Sequence, residues 1–265
     1  MSTKGALLDA RGAFHNHQMF SQLCGLTHVF TYDPLDRHPF NIRKLLMVQQ
    51  LLKTHRTAIW VDADAFFVRP ICPSSWNLTT HDVAFDIARD RDIRIRNTGV
   101  VAFHRGPTFE RFLQLYNRTR LAWHDQTSDN ALFNHILGLK RVMNVYPSGV
   151  TLDGWRRHVP GYAAFDAKNY NELSPRLNAF PQYRPCRKGR EHMYKVQADS
   201  IILHFPGEYS GGSVIDGRIN ACAMQTVAHW YKRASHALDD VPRRVTKSHT
   251  PDVAIVTGIF PRYEL

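Results

Sequence analysis

Apolar residues at Ile42, Leu45, Leu46, Val48, Leu51 and Leu52 recur at the spacing of one helix face, which predicts a helix over 40–53. The next apolar run, TAIWV at 57–61, is too short for a helix and reads as a buried strand running straight into Asp62. THVFTY at 27–32 is β-branched and aromatic, predicting a strand stopped by Asp33-Pro34, with a short helix over 15–25 before it that ends near Gly25. Further strands are expected over 82–87, 99–103 (GVVAF), 142–146 and 200–205 (SIILHF), and helices over 108–118, 129–137 and 220–238. Strands alternating with helices predict an α/β architecture.

Two stretches depart from this rhythm. Residues 151–198 are rich in Pro, Arg, Tyr and Asn with little periodicity, and read as a long loop-rich segment covering a site. After a polar linker over 239–251, residues 252–260 read DVAIVTGIF, an apolar strand and turn where most chains fray.

Composition changes the picture in a few respects. At 265 residues with 43% hydrophobic side chains, the chain suits one large α/β domain, or a compact core with a smaller appended lobe, and is too apolar for disorder. No run of 18 apolar residues and no apolar leader is encoded, so the expectation is a cytoplasmic protein, or a chain separated from its anchor. The net charge of +11 suits acidic partners such as nucleotide diphosphates, nucleic acid or an anionic membrane surface, without choosing among them. The basic residues are dispersed except at Arg184, Arg187, Lys188 and Arg190, a solvated loop or an acceptor or membrane contact. Cys24, Cys72, Cys186 and Cys222 lack metal-ligand spacing, and a chain this long needs no staple, so reduced thiols are expected. Asn77-Leu78-Thr79 and Asn117-Arg118-Thr119 match the glycosylation sequon and read as chance.

The candidate chemistry sits at the end of strand 57–61. Asp62-Ala63-Asp64 places two carboxylates at i and i+2 at a strand's carboxyl end, where open α/β sheets bind ligands. Such hard oxygen donors favour Mg²⁺ or Mn²⁺ shared with substrate phosphates. The helix 40–53 with Arg43-Lys44, followed by TAIWVDADAFFVRP over 57–70, resembles the helix-strand-DxD unit of glycosyltransferases of the GT-A fold. Asn97-Thr98-Gly99-Val100 is similar to that family's N-[ST]-G-[VI] strand, Asp125-Gln126 to its D-Q pair, and His204-Phe205-Pro206-Gly207 to its late H-x-x-G element. The four motifs occur in family order across roughly 40–210 and look most like the retaining α-xylosyl- and α-galactosyltransferases.

This resemblance implies a single catalytic domain over 1–265, a Rossmann-like mixed sheet flanked by helices, with 151–198 on the acceptor side. It implies a metal held by Asp62, Asp64 and His204, with Asp62 also near the donor ribose or diphosphate. Asn97 and Gly99 would floor the donor sugar, Gly207 would close the late motif, and Asp125 and Gln126 would lie near the anomeric carbon and acceptor. Lys44 or Arg43 would pair with a phosphate or a carboxylate. The donor would be a nucleotide-sugar, UDP favoured over GDP, with Mn²⁺ or Mg²⁺ as Lewis acid on the leaving diphosphate. The acceptor would be a glycan, lipid or protein, with no nucleic acid and with peripheral membrane contact open. An inverting reaction would need a base, for which Asp125, Asp129 and Asp153 are candidates. The family likeness tilts toward retention.

The sequence departs from the family at its start. Residues 1–14 hold no apolar first strand, yet DVAIVTGIFPRYEL at 252–265 looks like one. The expectation is a circular permutation in which strand 252–260 fills the central first-strand slot and Thr257, Gly258 and Tyr263 line the nucleotide site. The alternatives are an edge strand or the start of a second domain. Two rival functions remain. A metal-dependent phosphohydrolase or nuclease would draw further ligands from Asp86, Asp90 and Asp92. A nucleic-acid or membrane-binding module would need basic and aromatic residues clustered on one element.

Overall fold

The computed structural model describes residues 3–32, 40–63, 65–76, 78, 83–90, 93–122, 129–137, 170–172, 175–177, 199–204, 233–234, 236–241 and 252–259. The predicted strand 142–146, all of helix 220–238 before residue 233, and the site residues Asp64, Asp125, Gln126, Gly207 and Tyr263 lie outside them.

The elements run α1 (Thr3–Cys24), β1 (Thr27–Tyr32), α2 (Phe40–Leu51), β2 (Thr57–Val61), β3 (Ala65–Phe67), β4 (Val83–Asp90), β5 (Ile93–His104), α3 (Pro107–Ala122), α4 (Asp129–Ile136), β6 (Tyr170–Glu172), β7 (Ile202–His204) and β8 (Val253–Ile259). Six strands form one mixed sheet in the order β1-β8-β2-β5-β4-β6, and β3 and β7 form a separate antiparallel pair. The α/β expectation holds.

The C-terminal strand does fill an interior slot. β8 pairs in parallel with β1 on one side, Thr27 opposite Ala254, and with β2 on the other, Thr57 opposite Val253. Its residues 254–257 are buried. The edge-strand alternative does not describe it. Both edges of a strand in this position carry backbone donors and acceptors that must find partners, and here β1 and β2 supply them.

Helices and the small pair cover the two faces. Side chains alternate along the central strands, so Trp60, Val101, Phe103 and Val256 pack on one side with Leu45, Phe112 and Phe133 of α2, α3 and α4. Ile59, Val61, Val100, Ala102 and Ile255 pack on the other with Phe20 of α1, Phe67 of β3 and Ile202 of β7.

Three differences from the sequence reading have local causes. α1 begins at Thr3 rather than near residue 15, and its buried face carries Asn16, His17 and Ser21, which dilute the apolar signal. It ends as expected at Gly25, whose φ of 63° suits glycine; Leu26 N donates to Ser21 O and Gly25 N to Gln22 O, the paired bonds of a Schellman cap. β5 starts at Ile93, ahead of its apolar core, because it pairs with β4 as a hairpin from Asp90 opposite Ile93 onward. Within the loop-rich 151–198, Tyr170–Glu172 adds to the sheet as β6, parallel to β4.

The cysteine expectation is corrected. Cys24 and Cys72 form a disulfide, with Cα atoms 5.5 Å apart, joining the end of α1 to the segment after β3. They are 48 residues apart in sequence, and only the packing of α1 against β3 brings them together. Among the described residues, no helix is long and apolar enough to cross a membrane.

Candidate active site

The site forms where β2 stops. Asp62 N donates to Gly99 O at 2.7 Å, and Ala65 N donates to Asp62 O at 3.0 Å, closing a turn that leads into β3. β3 pairs with β7 so that Ala65 lies opposite His204. This places the Asp62 carboxylate and the His204 imidazole, 142 positions apart in the chain, with Oδ2 and Nε2 separated by 4.0 Å. The His204 side chain is 2% exposed and that of Asp62 31%, so the imidazole is fixed in the wall and the carboxylate meets solvent.

Gly99 explains how the ring fits. A Cβ there would lie 2.0 Å from His204 Cε1, an impossible approach, so His204 packs directly over the glycine backbone. The sequence singled out Gly99 as a floor residue; here it floors the histidine.

The other carboxylate oxygen of Asp62 turns inward. Oδ1 accepts from Trp60 Nε1 and lies 3.2 Å from Lys44 Nζ. Lys44 also donates to Asp129 Oδ2 at 2.7 Å and to Thr98 O at 2.8 Å, and sits 5.1 Å over the Trp60 ring. Thr98 Oγ1 donates to the same Asp129 oxygen at 2.7 Å. Burial opposes charge on Lys44, but the Asp129 and Asp62 carboxylates and their hydrogen bonds outweigh it, and its pKa is raised. The result is a charged lysine clamped between two acids. Of the two partners expected for Lys44, phosphate or carboxylate, it has carboxylates; its neighbour Arg43 is buried. Asp129, weighed from the sequence as a base, is the first residue of α4, where the helix dipole favours a carboxylate.

Asp62 Oδ2 and His204 Nε2 are donors of the types a divalent cation takes, but neighbouring donors on an octahedral ion lie about 3.0 Å apart, so this pair, at 4.0 Å, would have to close by about 1 Å to share one. The Lys44 charge falls on Oδ1 and leaves Oδ2 facing His204. Among the described residues no cluster of three or more His, Cys, Asp or Glu is present, Asp64 lying outside them.

The remaining sequence candidates distribute as follows. Asn97 lies in β5 opposite Asp86 of β4. Thr257 and Gly258 lie in β8 opposite Phe30 and Thr31 of β1. Thr257 is fully buried, its hydroxyl 2.6 Å from His17 Nδ1 and 3.2 Å from His28 Nε2. Burial pushes the His28 imidazole down to about 4.

Sequence reasoning missed Trp60, Thr98 and His17. Trp60 carried a usable signal, since i and i+2 on a strand share a face and Trp60 precedes Asp62 by two. His17 carried none, because its partners are 48 and 240 positions away.

No family model matches this chain, and no curated protein does. Among solved structures, the chain is similar to a glycosyltransferase involved in the glycosylation of the major capsid of PBCV-1, at 13% identity over 83% of this chain and 91% of that one, with a TM-score of 0.49. It is also similar to the galactosyltransferase LgtC, solved with donor and acceptor sugar analogues, at 12% identity over 84% of this chain and 74% of that one, with a TM-score of 0.38.

Proposed function

We propose that this chain is a GT-A-type glycosyltransferase that moves a sugar from a nucleotide diphosphate, UDP by preference, to an acceptor hydroxyl with retention. One observation carries the reading: the first aspartate of the D-x-D and the late-motif histidine, expected from the sequence to share a metal, stand 4.0 Å apart across Gly99. Asp62 and His204, with Asp64, would hold Mn²⁺ or Mg²⁺, which when bound would supply Lewis-acid charge to the leaving diphosphate. Lys44 and Trp60 hold Oδ1 of Asp62, so that Oδ2 is presented in one orientation. Asn97, Gly99 and Gly207 would lie along the donor sugar, Asp125 and Gln126 beside its anomeric carbon, and Gly258 and Tyr263 toward the nucleotide, while Thr257, fully buried against His17 and His28, would support that side from behind.

The slot taken by β8 supports a circular permutation. Read from β8, the order β8-α1-β1-α2-β2 is a continuous parallel strand-helix-strand series, the start that the sequence lacks at residues 1–14. All of 1–265 would serve as one catalytic domain. The acceptor would be a glycan, lipid or protein. The Cys24–Cys72 bond favours an oxidising compartment over the cytoplasmic setting expected from composition. The phosphohydrolase alternative draws less support: Asp129, joined to Asp62 through Lys44, is bonded to that lysine and to Thr98.

Calorimetric titration of UDP and GDP, with Mn²⁺ and with EDTA, tests the proposal. Metal-dependent UDP binding that is lost in Asp64→Ala is expected. A folded wild-type protein that binds neither nucleotide under any condition would overturn it.

A further inference from the structure

The free edge of β3 is covered by side chains of α1. Asn16 meets Phe67 twice, accepting from its N–H at 2.7 Å and donating to its carbonyl at 2.9 Å. One position on, His17 Nε2 lies 2.6 Å from the carbonyl of Ala65. Ala65 and Phe67, two apart, turn their peptide groups to the same edge, so Asn16 and His17 take the place of a neighbouring strand. Ala65 is also the residue whose N–H closes the turn on Asp62 and whose register partner is His204.

Hydrogen-bond bookkeeping then fixes the direction of a longer chain. A carbonyl only accepts, so His17 must carry its proton on Nε2. With the buried ring neutral, Nδ1 is an acceptor. Thr257 must therefore donate its hydroxyl to His17, and the same oxygen accepts from His28 Nε2. The chain runs one way, from His28 to Thr257 to His17 to the Ala65 carbonyl, and ties the interior strand β8 to the turn that bears the acidic pair.

We propose that His17, locked as the Nε2–H tautomer by Thr257 and Ala65, is a positioning residue that sets the Asp62–Ala65 turn for cation binding. This rests on the metal reading of that turn. His17 acts through the backbone of Ala65 and couples cation binding to the seating of β8.

The experiment combines nitrogen NMR of the histidine rings with calorimetric titration of Mn²⁺ in the presence of UDP. In the wild type, His17 should show a protonated Nε2 and an unprotonated Nδ1; an Nδ1–H ring or an imidazolium overturns the proposal whether or not Mn²⁺ binds. Thr257→Val, which keeps the shape and removes the hydroxyl, should weaken Mn²⁺ binding about 10-fold, the lower end of effects from groups behind metal ligands. Thr257→Ser should restore it. His17→Gln, whose amide nitrogen can still reach the carbonyl, should retain more affinity than His17→Leu. Equal Mn²⁺ affinity in wild type, Thr257→Val and His17→Leu, all folded, sinks the positioning role and leaves the metal reading standing. A folded wild type that takes no Mn²⁺ with UDP sinks both.

Discussion

Replacing Lys44 by Met tests the charge architecture most directly. The ammonium lies 2.7 Å from Asp129 and 3.2 Å from Asp62, with its side chain 7% exposed. Removing one member of a buried pair costs about 3–5 kcal/mol, because the carboxylates lose their counter-charge inside the protein. Asp129 and Asp62 keep some contact with water, which places the expected loss near the low end, about 3 kcal/mol. For a chain this long that corresponds to a Tm drop of roughly 6–12 °C. Urea unfolding at neutral pH, followed by circular dichroism, measures it; a loss below about 1 kcal/mol with an unchanged m-value would refute the clamp. A second arm separates packing from charge. Without Lys44, Asp62 has lost its cationic neighbour, so Mn²⁺ should raise the Tm of Lys44→Met more than that of the wild type. An equal rise in both would show that Lys44 does not govern the charge on Asp62. Because the Lys44 pKa is raised in the fold, its contribution is complete below the unfolded value of about 10.4 and fades only as pH climbs through the folded one.

Gly99→Ala should displace the His204 ring, since the new methyl would overlap it, and should weaken Mn²⁺-dependent UDP binding at least about 10-fold by calorimetry; an unchanged affinity would disconnect His204 from the metal. Reducing the Cys24–Cys72 bond reopens a loop spanning 48 positions, worth about 4 kcal/mol in chain entropy, and a melting scan with and without reductant should show the drop. Acidification should destabilise the fold between pH about 6.5 and about 4, because unfolded His28 takes a proton there that the buried ring refuses; solvent access limits the effect to about 1–2 kcal/mol, and His28→Gln should flatten that part of the pH profile of urea stability.

Periodicity located α2, β2 and β8 within a residue or two because each carries its burial pattern in adjacent positions, and adjacency is local information. The acidic pair at the end of β2 and the histidine at the end of β7 were equally visible, since strand ends and side-chain chemistry can be read without knowing what packs where. The polar faces were not. Asn16 and His17 look like solvent-facing helix residues until β3 lies alongside, and Lys44 looks like a surface cation until α4 brings Asp129 to it. Cys24 and Cys72 gave no spacing signal for the same reason. Local sequence thus set the segments whose burial pattern is contiguous, such as α2, β2 and β8, but not the first half of α1 or the strand β6. The neighbours of each polar group were decided only by the tertiary structure, because a buried donor or acceptor takes its partner from whatever the fold brings within about 3 Å, however distant in the chain.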